Sequence, residues 1–196
     1  MGQIMIRRLT AKETATVYHD HLEYDFPPDE RRPLSSIQRL FEQGRYQTVG
    51  MFDETDQLVA YAFFGKSSSG KTLMMDYFAV VRDHRRCGVG SRFFRSLGEL
   101  FSEYLGIVYE VEAPEKAVSE DEYVLRQRRI GFYLRNGGCM TRVFSRVYGV
   151  DYQMMYIPIH GRWDDKFVAE ELEAAYRAMI PPEIYDRIIE TIGVSV

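Results

Sequence analysis

Cysteine is scarce. The chain has two in 196 residues, Cys87 and Cys139, far apart and without metal-like spacing. That excludes a disulfide framework and paired zinc ligands, and fits a reduced, cytoplasmic protein. Four scattered histidines add no metal signature, so no metal is expected. A basic excess is also missing: the net charge of -4 argues against nucleic acid as a partner. No apolar run approaches the length of a membrane span, so no membrane partner is expected. The opening "MGQIMIRRLTAKE" lacks the core of a signal peptide, and Ile6 stands where a myristoylation signal has Ser or Thr. Neither phosphate-loop signature is present. "RRCGVGSRF" has no Walker lysine, and Phe93 stands where a dinucleotide fingerprint has its third glycine.

What is there is ordinary globular material, 45% apolar and 28% charged, in a length most simply read as one domain. "QIMIRRL" reads as a first strand. Thr10 and Glu13 form a capping-box pattern that opens a helix through about His21. "EYDFPPDERRP" is a loop set by its paired prolines, and "LSSIQRLFEQG" a helix closed by Gly44. "YQTVGMFD", "LVAYAFFG" and "TLMMDYFAVV" are three strands joined by turns too short for parallel crossovers. A helix from Val89, the strand "IVYEVEA", a helix ending at Gly137 and the hairpin "CMTRVFSRVY"/"VDYQMMYIPI" follow. The central βαβ unit places "TLMMDYFAVV" parallel to "IVYEVEA". The tail from about Trp163 reads as helical, with a last helix starting after the proline pair of "IPPEIYDRIIETI", and Leu172, Tyr176, Met179, Ile184, Ile188 and Ile192 are too apolar to stand in water. It packs on its own domain or on a second copy, which leaves monomer and homodimer open.

The junction "AVVRDHRRCGVGSRFF" concentrates chemistry. Arg82, Arg85, Arg86, Arg92 and Arg95 crowd a Gly-x-Gly turn between a strand and a helix. Amides at a helix N-terminus point outward with the positive end of the dipole, and glycine lets the backbone approach a phosphate. An anion site is one reading; a glycine-rich helix start with solvated arginines is the other.

"DYFAVVRDHRRCGVGSRFFRSL" resembles motif A of the GNAT superfamily of N-acetyltransferases, with Arg85, Gly88 and Gly90 at the positions of Arg/Gln-x-x-Gly-x-Gly/Ala. The resemblance runs from about Ile4 to Ile159. It implies an α+β fold: a central mixed, mostly antiparallel sheet of about seven strands with a parallel splayed pair, flanked by helices. Residues 1–160 would be the N-acetyltransferase domain and 161–196 a C-terminal helical extension. It also implies acetyl-CoA as co-substrate. Backbone amides of Arg85, Arg86, Cys87, Gly88, Val89, Gly90 and Ser91 would hold the pyrophosphate. The main chain of Phe78, Ala79, Val80 and Val81 would pair with pantetheine, and the amide of Val80 or its neighbour would polarise the thioester carbonyl. Cys87 lies in the phosphate loop, away from the acyl carbon, and is not read as a nucleophile.

"RRIGFYLRNGG" resembles the family's later motif. Tyr133 stands at its tyrosine, which protonates the departing thiolate; a core aromatic is the other reading. Arg126 and Arg129 replace the family's usual Asn and Ala. Met74 occupies the position of a base known in one branch, so that base is not carried over. Glu112, on one strand face with Glu110, is the first candidate for the base or for binding the acceptor ammonium, and Asp76 the second. Pairing of these acids with Arg128 or Arg129 is the alternative. The function expected is acetyl transfer to a primary amine, small or peptide-borne, by direct attack in a ternary complex. A non-catalytic acyl-CoA-binding or regulatory module is the competing class. The mixed loop around Tyr24 and Phe26, with Glu23, Asp25, Asp29 and Glu30, hints at a cationic acceptor.

Overall fold

The computed structural model describes residues 4–195. Its elements in chain order are β1 (Met5–Arg8), α1 (Ala11–Val17), a wide π-helical turn (Tyr18–Leu22), α2 (Glu23–Asp25), α3 (Leu34–Glu42), β2 (Tyr46–Phe52), β3 (Leu58–Lys66) and β4 (Thr72–Val80). Then come α4 (Val89–Leu100), β5 (Gly106–Glu112), α5 (Glu120–Arg135), β6 (Cys139–Val147), β7 (Val150–Pro158), α6 (Asp165–Met179), α7 (Pro182–Ile188) and β8 (Ile189–Val194). The eight strands form one mixed, mostly antiparallel sheet in the order β1-β2-β3-β4-β5-β7-β6-β8. Its parallel pair is β4 with β5, from Thr72↔Gly106 to Met75↔Tyr109. Among the described residues, no helix is long and apolar enough to cross a membrane.

The chain divides into two compact units. The first takes the chain up to Gly65 together with Asp76–Leu100; the second takes Lys66–Met75 and everything from Phe101 onward. In the first, Leu22, Ile37, Leu40, Val49, Phe63 and Phe93 are buried. Phe78 carries the rings of Phe93 and Phe94 against it, with centroids 5.1 and 4.9 Å away. Thr10 and Glu13 form the expected capping box: Thr10 Oγ1 accepts from Glu13 N–H at 3.3 Å, and Glu13 Oε2 from Thr10 N–H at 2.8 Å. The helix runs further than the sequence pattern indicates. It widens at Tyr18–Leu22, with Tyr18 and Leu22 both buried, and closes at Asp25. Within "EYDFPPDERRP", Pro28–Glu30 form a short 3-10 turn. That turn is strapped down by Tyr77, whose hydroxyl donates to Glu30 C=O (3.0 Å) and accepts from Arg32 N–H (2.6 Å).

In the second unit, Leu73 and Met74 of the first half of β4 and Ile107, Val108, Val143, Met154 and Met155 of β5, β6 and β7 are buried. Helix α6 lies against β5, β6 and β8. Its Glu171, 4% exposed, accepts from three hydroxyls, Ser67 (3.1 Å), Ser69 (2.7 Å) and Thr72 (2.7 Å). The tail corrects one expectation. The helix after Pro181 stops at Ile188, and Ile189–Val194 form a strand antiparallel to β6, from Val147↔Ile189 to Val143↔Val194. Its β-branched residues favour extended backbone. Gly193 lies under the Phe144 ring, where a Cβ would approach to 2.6 Å.

The capping box gives stability a pH dependence. Bonds from Arg7, then from the Thr10 backbone, lower Glu13 from 4.5 to about 2. A depressed carboxylate stabilises fully above its unfolded value and loses that contribution as pH falls. Urea unfolding is therefore expected to show stability falling between pH 4.5 and about 2, a slope that Glu13→Gln diminishes. Thr10→Ala is expected to cost about 1 kcal/mol at neutral pH.

Candidate active site

The residues expected to hold the coenzyme all fall in the first unit. Strand β4 ends with Tyr77 and Ala79 buried, and Asp76, Phe78 and Val80 half-buried on the other face. Val81 N–H donates to Val59 C=O of β3 at 3.0 Å. By strand alternation, the main-chain groups of Phe78 and Val80 then point to the side away from β3, and those of Ala79 toward it. A single 3-10 turn, Arg82–His84, leads into a tight segment with positive φ at Arg86 (65°) and Gly88 (76°) before α4 starts at Val89. Alternating backbone signs of this kind turn successive N–H groups into one concavity. The first-turn amides of Val89, Gly90 and Ser91 have no acceptor within the helix. No acidic side chain stands in that first turn.

The arginines are not equivalent. Arg85 turns back from the loop: its Nε donates to Val80 C=O at 2.9 Å and its Nη2 to Asp25 Oδ1 at 2.7 Å. Arg95 Nε donates to Ser91 C=O at 3.2 Å. Arg82 and Arg86 are exposed. Cys87 is exposed and donates weakly to Arg85 C=O; both cysteines are free thiols. Asp76 Oδ2 accepts from Arg32 Nε (3.0 Å) and from the Tyr46 hydroxyl (2.5 Å). Burial first, then the nearby Asp76 charge, pushes the Tyr46 phenol far above its ordinary range.

Glu112 and Tyr133 fall in the second unit. Both Glu112 oxygens are engaged, Oε1 by Arg126 (3.0 Å) and Oε2 by Arg129 (2.8 Å). Arg126 is buried and also donates to Ala113 C=O and Glu122. It replaces Arg128 as the second partner that the sequence suggests. Glu110, on the same strand, accepts from the Tyr176 hydroxyl of α6. Tyr133 is half-buried on α5, its ring 4.8 Å from that of Tyr109. Burial pushes its phenol up to about 12, partly offset by the Arg129 charge. Among the described residues, no group of His, Cys, Asp and Glu could hold a metal ion.

Sequence reasoning named Asp25 only as one acid of a mixed loop, and missed that it holds Arg85, that Tyr61 holds Asp25 and that Arg32 holds Asp76, all from distant parts of the chain. It also missed Tyr109. That side chain is 1% exposed, and its hydroxyl has no partner among the described residues. The hydroxyl fills the space a Cβ at position 138 would need, so Gly138 and Tyr109 fit each other. A buried, unpaired hydroxyl is destabilising. Tyr109→Phe is therefore expected to leave stability unchanged or raise it by up to about 1 kcal/mol in urea unfolding.

Comparison with known proteins agrees with this architecture. Residues 14–137 match the family model of the acetyltransferase (GNAT) family. Among curated protein sequences, none matches the chain. A solved structure assigned to GNAT-family acetyltransferases, from Bacteroides thetaiotaomicron, superposes with a TM-score of 0.68 at 21% identity, over 89% of this chain and 98% of its own. Spermidine N-acetyltransferase from Vibrio cholerae, in complex with CoA and spermine, gives 0.57 at 10% identity, over 80% and 95%. Ard1 from Thermoplasma volcanium gives 0.57 at 19% identity, over 81% and 99%. At these identities the structures speak for the fold. The match across well over half of the chain shows that it belongs to the GNAT acetyltransferase family.

Proposed function

We propose that the chain transfers the acetyl group of acetyl-CoA to a primary amine, by direct attack in a ternary complex. The observation that carries this reading is the loop from Arg85 to Ser91. Two positive-φ residues turn its backbone inward, and the N-terminus of a twelve-residue helix follows directly. Such a concavity of amides suits a pyrophosphate. In this reading Arg85 contributes its backbone, while its side chain serves β4; Arg82, Arg86 and Arg92 supply charge to the phosphates. The outward main chain of Phe78 and Val80 pairs with pantetheine, and Val80 N–H is the donor for the thioester carbonyl oxygen.

The amine nitrogen forms a bond to the acyl carbon, the carbonyl oxygen takes up negative charge at Val80 N–H, and the C–S bond breaks. In this reading Tyr133 is the residue that serves the departing sulfur, the role that the resemblance of "RRIGFYLRNGG" implies. With its phenol at about 12 it stays protonated at neutral pH. Thiols ionise near 8.5, so it acts by donating a hydrogen bond to the forming thiolate rather than by giving up its proton completely. The proton lost by the amine goes to Glu112, directly or through water. Glu112 is 29% exposed against 14% for Asp76, which remains the second candidate. Two acids of the loop around Tyr24 are already paired, Glu23 with Arg31 and Asp25 with Arg85. That lessens its pull on a cationic acceptor, and both small and peptide amines stay within the proposal. Residues 161–196 belong to the same domain in this reading, since Glu171 and Tyr176 are tied to strand residues.

Acetyl-CoA consumption across a panel of polyamines, small amines and peptides tests the reading directly. Tight binding without turnover on any of them would sink it in favour of a binding module. Tyr133→Phe is expected to lower kcat by roughly 100-fold with little change in acetyl-CoA affinity; unchanged turnover removes the role of Tyr133 as hydrogen-bond donor to the leaving sulfur. Gly88→Glu is expected to abolish acetyl-CoA binding in calorimetry. Gly88→Ala, which shares the strained φ and meets nothing within 4 Å, separates backbone strain from the added carboxylate and keeps measurable affinity.

A further inference from the structure

We propose that Asp25 is a positioning residue for the coenzyme strand, acting through Arg85; the inference rests on the acetyl-CoA reading above. Three bonds run in series within the first unit. The Tyr61 hydroxyl, on β3 and fully buried, donates to Asp25 Oδ2 at 2.8 Å. Asp25 Oδ1 accepts from Arg85 Nη2 at 2.7 Å, and Arg85 Nε donates to Val80 C=O at 2.9 Å. The core of β3 is thereby tied to the last carbonyl of β4 through two side chains.

Two features make this more than a surface ion pair. The Asp25 side chain is 14% exposed, with both oxygens engaged, whereas the Arg85 side chain is 47% exposed on a turn of unusual backbone. Asp25 is thus the fixed member and Arg85 the one that needs holding. The bond also lands on a peptide that matters. The Val80–Val81 peptide is gripped from the β3 side by Val81 N–H on Val59 C=O, and from the other side by Arg85. The outward side is the one assigned to pantetheine and the thioester oxygen. A guanidinium can use two N–H groups at once for Val80 and Asp25, which a lysine ammonium at the end of a flexible stem does less well. Because Asp25 ends α2, immediately before Phe26, Pro27 and Pro28, the same link joins the aromatic and acidic loop to the coenzyme strand.

The test is a double-mutant cycle on acetyl-CoA binding by calorimetry, with Asp25→Asn, Arg85→Gln and the double variant, and with thermal unfolding followed in parallel. Asp25→Asn is expected to raise the acetyl-CoA Kd by about tenfold, the scale of one charge-assisted hydrogen bond. KM for acetyl-CoA should rise by more than kcat at saturation falls. The double variant should bind no worse than the weaker single, because the two side chains form one device. Wild-type affinity in Asp25→Asn, or additive losses in the double variant, overturns the proposal. If Asp25→Asn loses cooperative unfolding, Tyr61→Phe carries the same test. It removes a hydroxyl and keeps the ring, and is expected to raise Kd by about threefold; no change in Kd overturns the proposal. A wild-type chain that binds no acetyl-CoA overturns the functional reading itself, and this inference with it. Binding by the wild type with no loss in the variants sinks the inference alone.

Discussion

A strand that gives way to a helix within a few residues must dispose of backbone N–H groups that no longer have a carbonyl opposite them. Between Val80 and Val89 this chain does so by turning them together, with left-handed backbone at Arg86 and Gly88. The surrounding residues follow from that choice. Phe93 and Phe94 seat the helix by packing on Phe78, the first turn carries no acid, and Arg85 folds back to close the strand end. The first-turn amides of α4 thus keep no acceptor within the helix and no acidic neighbour in that turn.

The acids show how the chain treats charge in its interior. Asp76 is met by Arg32 and Tyr46, Glu112 by two arginines, Glu171 by three hydroxyls and Glu110 by Tyr176. A buried carboxylate without such partners would be costly. Each solution also joins distant segments, so these contacts fix loops and helices on the sheet as well as neutralising charge.

The parts that were legible in the sequence are those governed locally. Strand alternation, the Thr10 capping box, Gly88 and Gly90 at the helix start, and the βαβ order all depend on residues a few positions apart, and all stand in the fold. The C-terminal strand was not legible because "IIETIGV" suits a helix end and an edge strand equally; its pairing with β6 decides the matter. The partners of the site were hidden for a related reason. Arg32 meets Asp76, and Asp25 meets Arg85, across dozens of residues, and no pattern of spacing announces such a contact. Glu112 was nearer to legible: Arg129 was among its expected partners, but a buried Arg126 was not, since arginine seldom sits in a core.

The wide turn at Tyr18–Leu22 sets an angle. A π-helical turn advances less per residue about the axis than an α-helical one. Over those five residues the difference amounts to roughly a quarter of a revolution. The same residues wound as an ordinary α-helix would aim the carboxylate of Asp25 to a different azimuth, away from Arg85. Helical phase, set well before the glycine loop begins, thus decides which carboxylate meets its arginine. Loss or gain of a single residue between Tyr18 and Leu22 would act on the end of β4 from a distance, without altering any residue of that strand.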